Sequence, residues 1–144
     1  RLSTPIPAIS IQRQCQHFLY DDRCRVDRTA FDVATTVSSI SGYTVTVASV
    51  GGNPDDWFKA GEIVRASDGE RRTIVGNVGT ALSLIAPFAT LAATDSVTLY
   101  AGCAHTVEVC RDKFSNVLNY GGHAQIPSSN PFDVPLTRLT LRGL

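Results

Sequence analysis

The sequence predicts a mainly β fold, a small antiparallel barrel or sandwich of about six strands with one short helix and cysteine-bearing loops. Three observations carry this. Apolar residues alternate at period two between Phe31 and Tyr100, turn-forming residues recur at short intervals through that stretch, and the period becomes helical after Cys103.

The elements follow in order. The opening "RLSTPIPAIS" holds two prolines, which fix φ and bias the residues before them toward extended backbone. Residues 1–14 are expected to form an arm or linker. Strands are expected near 31–40, 43–49, 62–67, 70–76, 81–86 and 95–101, following one another as a meander. Tyr43, Val45 and Val47 alternate with Thr44 and Thr46. Ser41-Gly42, Gly51-Gly52-Asn53-Pro54, Asp68-Gly69, Gly76 to Gly79, Pro87 and Thr94-Asp95 punctuate the strands. Asp68-Gly69 suits a two-residue type I′ turn, whose central positions both need positive φ. Trp57 and Phe58 are read as core packing, and Arg71-Arg72 as a solvated hairpin face.

Beyond Cys103, Val107, Cys110, Phe114, Val117 and Leu118 fall on one side at helical spacing, with Thr106 as cap and Gly121-Gly122 as stop. Cys110 then faces inward from a helix, and Cys103 stands at the end of the last strand. The cysteine-bearing domain is assigned to 15–132. Residues 133–144, with Leu136, Leu139 and Leu141 alternating, form a C-terminal arm or edge strand.

Bulk properties narrow the function classes. A chain of 144 residues suits one domain with its own core. Thirteen basic residues balance thirteen acidic ones, so nucleic acid is not indicated as a partner. No apolar run approaches the ~18 residues of a membrane span. The chain starts at Arg1 and contains no methionine, which suggests further sequence upstream in a longer polypeptide.

The four cysteines form two pairs, Cys15 with Cys24 and Cys103 with Cys110, separated as C-x8-C and C-x6-C. Disulfides suit secreted domains too small to fold unaided. Free buried thiols are common in cores. Structural zinc sites space their ligands more tightly, at about C-x2-4-C, although His17 and His105 each follow a cysteine by two residues. An iron–sulfur cluster accepts four thiolates from loops at varied spacing. A nucleophile at Cys103 or Cys110 with His105 or His123 as base would leave the other two cysteines without a purpose. Spacing alone leaves these readings open.

Particular runs go further. "CQHFLYDDRCRVD", "WFKAGEIVRASDGERRTIVGNVGTALSLIAPF" and "AGCAHTVEVCRDKFSNVLNYGGHAQIPSSNPF" occur in that order. Together they resemble the C-terminal domain of tail-tip (baseplate) hub proteins of long-tailed bacteriophages and gene transfer agents, and are similar to the cysteine-bearing region of the lambda tail-tip L protein. The most specific pieces are Gly102-Cys103, Cys110 with Phe114-Ser115-Asn116, and Asn119-Tyr120-Gly121-Gly122. The resemblance implies a non-enzymatic structural protein of the virion tail tip, assembled in the host cytoplasm. It implies as partners other tail-tip proteins and copies of itself in a homotrimer, and no small-molecule substrate. It further implies that Cys15, Cys24, Cys103 and Cys110 bind a 4Fe–4S cluster, with Gly102, Gly121 and Gly122 letting backbone N–H groups approach its sulfides. The alternatives are a redox or electron-transfer iron–sulfur protein and a structural zinc domain.

Residues 1–10 and 134–144 are apolar and too short to fold alone, so they are expected to pack on other subunits or on an upstream domain. Limited proteolysis should cleave both in the isolated chain and spare them after assembly. Equal resistance in both states would place them in the domain's own core.

Overall fold

The computed structural model describes residues 11–127. Both proposed arms fall wholly or mainly outside the described residues. Six strands, β1 (Asp32–Ser41), β2 (Thr44–Val47), β3 (Glu62–Arg65), β4 (Arg71–Val78), β5 (Ala81–Leu84) and β6 (Ser96–Tyr100), close into an antiparallel barrel in the order β1-β2-β5-β4-β3-β6. All six expected strands are present, and of the two expected architectures the barrel is the one formed. The simple meander is not, because β2 pairs with β5 and β3 pairs with β6.

Two long strands make this closure possible. The first half of β1 pairs with β6 and its second half with β2, and the register shifts between Val37 and Ser39. Likewise β4 changes partner from β3 to β5, with a shift between Ile74 and Gly76. An extra residue at such a bulge bends the strand and increases its twist, which turns one sheet into the next.

Alternation along the strands becomes an inside and an outside. Val45 and Val47 of β2, Leu82 and Leu84 of β5, and Val97 and Leu99 of β6 are buried, and with Val37, Ile63, Ile74 and Phe58 they fill the barrel. Tyr43 departs from the expected inward set. It lies at the β1–β2 turn and is exposed. Phe58 has no exposed surface, as core packing requires, and Trp57 packs against both the barrel core and a second apolar cluster. On the hairpin face, Arg71 reaches Glu62 while Arg72 reaches Glu70 and stacks over Phe88.

The Asp68-Gly69 turn is longer than the expected type I′. Of the two residues only Gly69 has positive φ, 72°. The Arg65 N–H donates to the Glu70 carbonyl, and Asp68 uses its carboxylate to accept from the Glu70 N–H at 3.0 Å. Asp68 therefore stabilises the loop through its side chain, not through a left-handed backbone.

The single α-helix, α1 (Val107–Asp112), starts as expected at Thr106, whose hydroxyl accepts from the Val109 N–H. It ends earlier than the apolar spacing suggests. Ser115 takes a φ of 50°, the Asn116 N–H returns to the Cys110 carbonyl, and the chain continues as a 3-10 turn over Val117–Asn119. Cys110 and Phe114 are consequently buried, whereas Leu118 is 96% exposed. No helix among the described residues is long and apolar enough to cross a membrane.

One buried polar side chain anchors the segment before β3. Asn77 of β4 is 2% exposed, and its Oδ1 accepts from the Phe58 N–H at 3.0 Å. Asn77→Ala leaves that N–H unsatisfied and should cost about 1–3 kcal/mol in urea denaturation. Leu99→Ala, which opens a cavity in the barrel, should cost about 2–5 kcal/mol. Unchanged denaturation midpoints would contradict both assignments.

Candidate metal centre

Strand β6 leads directly to the cysteines. Past Tyr100, the Ala101 N–H donates to the Phe31 carbonyl and the Gly102 N–H to the Trp57 carbonyl. Gly61 and Gly102 face one another so closely that a Cβ on either would overlap the other segment's backbone. The loop before β3 thus lies flat against the exit of β6, and Cys103 is held just beyond this contact.

The N-terminal loop is shaped by Asp21. Its carboxylate accepts from the N–H groups of Cys24 (2.6 Å), Arg23 (3.0 Å) and Phe18 (3.2 Å). These bonds, that of Cys24 foremost, hold its pKa below the ordinary carboxylate value. Tyr20 fastens the loop to the barrel by donating its hydroxyl to the Ala101 carbonyl at 2.8 Å. Cys24 and Val26 then pack with Ala101 and Phe114 in a second apolar cluster, against which Cys103 and Val109 also rest.

Two strips of backbone complete the junction. The Cys15 N–H donates to the His105 carbonyl at 2.8 Å, while His105 Nδ1 lies 3.1 Å from the Cys15 carbonyl. Tyr120 donates its hydroxyl to the Arg13 carbonyl at 2.6 Å, and the His123 N–H donates to the Gln12 carbonyl at 2.9 Å. Asn116 bonds through its side-chain amide to the Cys24 carbonyl, and its Oδ1 accepts from Asn119 at 2.6 Å. Tyr20, Arg25, His105 and Ser115, all in these loops, have positive φ between 50° and 69°. Left-handed backbone is uncommon for such residues and persists where the surroundings enforce it.

Contacts about ninety residues apart in sequence therefore lay the loops that carry Cys15 and Cys24 against those that carry Cys103 and Cys110. Cys24 and Cys110 are buried, Cys15 and Cys103 partly so, and all four are free thiols. Burial, first, raises the Cys110 pKa to about 11, and the neighbouring Cys103, Cys15 and Cys24 add to the rise. Cys103 is raised chiefly by burial too, against the opposing pull of the His105 N–H, with Cys24 and Cys15 contributing. Each ionised thiol would feel the others.

Three sulfurs have N–H donors. Gly121 N–H reaches Cys15 Sγ at 3.3 Å, His105 N–H reaches Cys103 Sγ at 3.3 Å, and Asn116 Nδ2 lies 3.8 Å from Cys24 Sγ. The fourth, Cys110 Sγ, is 3.2 Å from the Asn116 carbonyl. Of the three glycines singled out in the sequence, only Gly121 points its N–H at a sulfur. Gly102 uses its N–H on Trp57, and both Gly102 and Gly122 are needed for close backbone approach. A Cβ at Gly122 would meet the Arg13 and Gln14 backbone, and one at Gly121 the His17 ring.

The donor set fits a thiolate-bound cluster. Four soft ligands lie in adjoining loops, N–H groups face three of the sulfurs, and the Cys103 and Cys110 thiols are shifted away from the lowered pKa of a nucleophile. Among the described residues no three His, Cys, Asp or Glu side chains gather as a single ion requires, with every thiolate ~2.3 Å from one point. His105 Nδ1 is committed to the Cys15 carbonyl and His17 Nδ1 to that of Asn119.

The sequence pattern of the phage conserved hypothetical protein BR0599 family matches residues 56–130. The chain belongs to this family. Within the BR0599 match lie β3 to β6, Cys103, Cys110 and the Asn116 to Gly122 run, while Cys15 and Cys24 precede it. No curated protein matches the chain in sequence. Among solved structures, the fold is similar to that of a chain in the virion of native gene transfer agent (GTA) particle, with a TM-score of 0.70 and 24% identity. That alignment takes in 99% of this chain and 53% of the other, so this chain spans about half the length of its structural relative.

Asn116, Tyr120 and Gly121 stand within runs conspicuous in the sequence, but their roles as ties to the N-terminal loop follow only from the fold. Tyr20 gives no sequence signal at all, being a tyrosine in a polar loop.

In the metal-free protein at pH 8, alkylation should modify Cys15 well before the buried Cys110. The raised Cys110 pKa leaves stability intact below the ordinary thiol value near 9 and removes it as pH rises toward about 11. Melting temperature against pH checks the sign, and a metal-free chain that gains stability over that interval would refute it.

Proposed function

We propose that this chain is a non-enzymatic structural domain of a phage-like tail tip, a hub component in which Cys15, Cys24, Cys103 and Cys110 hold a 4Fe–4S cluster. The observation that carries the cluster reading is the meeting of four thiols from opposite ends of the domain, with three of their sulfurs facing N–H donors. Membership of a phage family supports the virion setting, and so does a fold shared with a chain of a gene transfer agent virion. The tail-tip position, the trimer of like subunits, the contacts to other tail-tip proteins and assembly in the host cytoplasm rest on the motif resemblance.

When bound, such a cluster supplies four iron–thiolate bonds that cross-link the two cysteine-bearing segments. The chain's own residues do the remaining work. Asp21 folds the first loop so that Cys24 reaches inward, and Thr106 starts the turn of helix that carries Cys110. Gly121, His105 and Asn116 direct N–H dipoles at sulfur, which stabilises thiolate charge in a partly desolvated place. Because ligation requires thiolates, assembly of the site should release protons, and the binding free energy adds to that of folding. Raised thiol pKa values argue against a nucleophilic cysteine, which needs a lowered one.

Protein purified anaerobically should be brown and hold about four irons and four sulfides per chain. Serine at any one of the four cysteine positions should abolish that iron and lower the melting temperature. His105→Ala should retain it. Stoichiometric zinc without iron would sink the reading, and four unaltered melting curves would leave the cysteines as ordinary buried thiols.

A further inference from the structure

The ammonium of Lys113 stands at the junction and is used by nothing described so far. It donates to the Trp57 carbonyl and, at 2.7 Å, to the Gly102 carbonyl. It also lies 4.4 Å from the centre of the Trp57 ring and 5.2 Å from that of Phe114. It thereby joins α1, the loop before β3 and the residue preceding Cys103. The residue is partly buried, and none of the ion pairs within 4 Å among the described residues includes it.

Partial burial lowers the Lys113 pKa to about 8. The carbonyl it holds at 2.7 Å belongs to Gly102, the residue directly before Cys103. Among the described residues no carboxylate pairs with the ammonium, and the nearest group able to carry a negative charge along the chain from its Gly102 acceptor is the Cys103 sulfur.

We propose that Lys113 is the charge-compensating, positioning residue of the thiolate centre, holding the Gly102–Cys103 backbone in place and offsetting the negative charge of the ligated sulfurs. This rests on the 4Fe–4S reading above. A cluster of that type with four thiolates carries a net charge of about −2, becoming about −3 on uptake of one electron. A fixed cation beside Cys103 therefore stabilises the reduced form more than the oxidised form, because Coulomb attraction scales with the charge it meets.

The side chain can be replaced without overpacking, since Lys113 also lines a groove of about 420 Å³ with Trp57, Ala104 and Val109. Lys113→Gln keeps an amide donor but removes the charge, and Lys113→Arg keeps the charge. Each loaded protein would be titrated with dithionite as the one-electron donor while the visible spectrum and iron content are recorded. Lys113→Gln should retain iron yet be harder to reduce by about tenfold, a shift of about 59 mV toward negative potential for a one-electron couple. Lys113→Arg should return most of the way to the parent value. Loss of iron in Lys113→Gln, with retention in Lys113→Arg at the parent potential, would equally support a need for charge. A parent potential in Lys113→Gln, or equal iron loss in both variants, would overturn the proposal and leave Lys113 a packing residue. Absence of iron from the parent protein would overturn the cluster reading itself, and it is seen by metal analysis before any potential is measured.

Discussion

The geometry of the cysteine-bearing end depends on β6 being paired along both of its edges. β1 holds one edge and β3 the other, so the strand has little freedom to shift or rotate, and its inward residues Val97 and Leu99 are locked in the barrel core. Ala101, Gly102 and Cys103 continue from that strand with their direction already set. A loop of the same sequence attached to an edge strand would have to be ordered by its own contacts, against the conformational entropy of each residue. Here the order propagates outward from the barrel. The mutual approach of Gly61 and Gly102 extends it by one more layer, since there is no side chain to separate the two backbones.

From that fixed edge the rest is fastened mostly by polar contacts. Tyr20 grips Ala101, Cys15 and His105 bond reciprocally, and Tyr120 reaches Arg13. The apolar cluster around Phe114 is small beside the barrel core, with Phe31 meeting Phe114 edge to face at 4.8 Å. Hydrogen bonds of this kind contribute about 1 kcal/mol each, so the junction is more weakly held than the barrel. Thiols placed there have much to gain from ligation. Burial resists ionisation of Cys103 and Cys110, and a metal would reverse this by bringing positive charge to the sulfurs themselves.

Much of the barrel was legible because burial of one strand face imposes period two, and the valines and leucines of β2, β5 and β6 show it plainly. The strand order was not. β1 and β4 each serve two partners, and the bulges at Val37 to Ser39 and Ile74 to Gly76 that allow this have no reliable sequence signature. The apolar spacing from Val107 to Leu118 overstated the helix, since the return of the Asn116 N–H to Cys110 competes locally with further helical turns. For the site, the cysteines were evident and their convergence was not. Convergence depends on contacts about ninety residues apart, such as Asn116 to Cys24, which a linear pattern does not encode.

The bond between His123 and Gln12, together with that between Tyr120 and Arg13, brings the entering and leaving chain side by side. Tension applied through sequence on either side would run across this short bridge and the adjoining cysteine loops, bypassing the strands. In mechanical terms the barrel hangs outside the load path, like a weight on a closed ring. The clasp of that ring is the small junction of loops between Gln12 and His123, so for a pull applied at those two points its strength, rather than that of the larger core, is tested first.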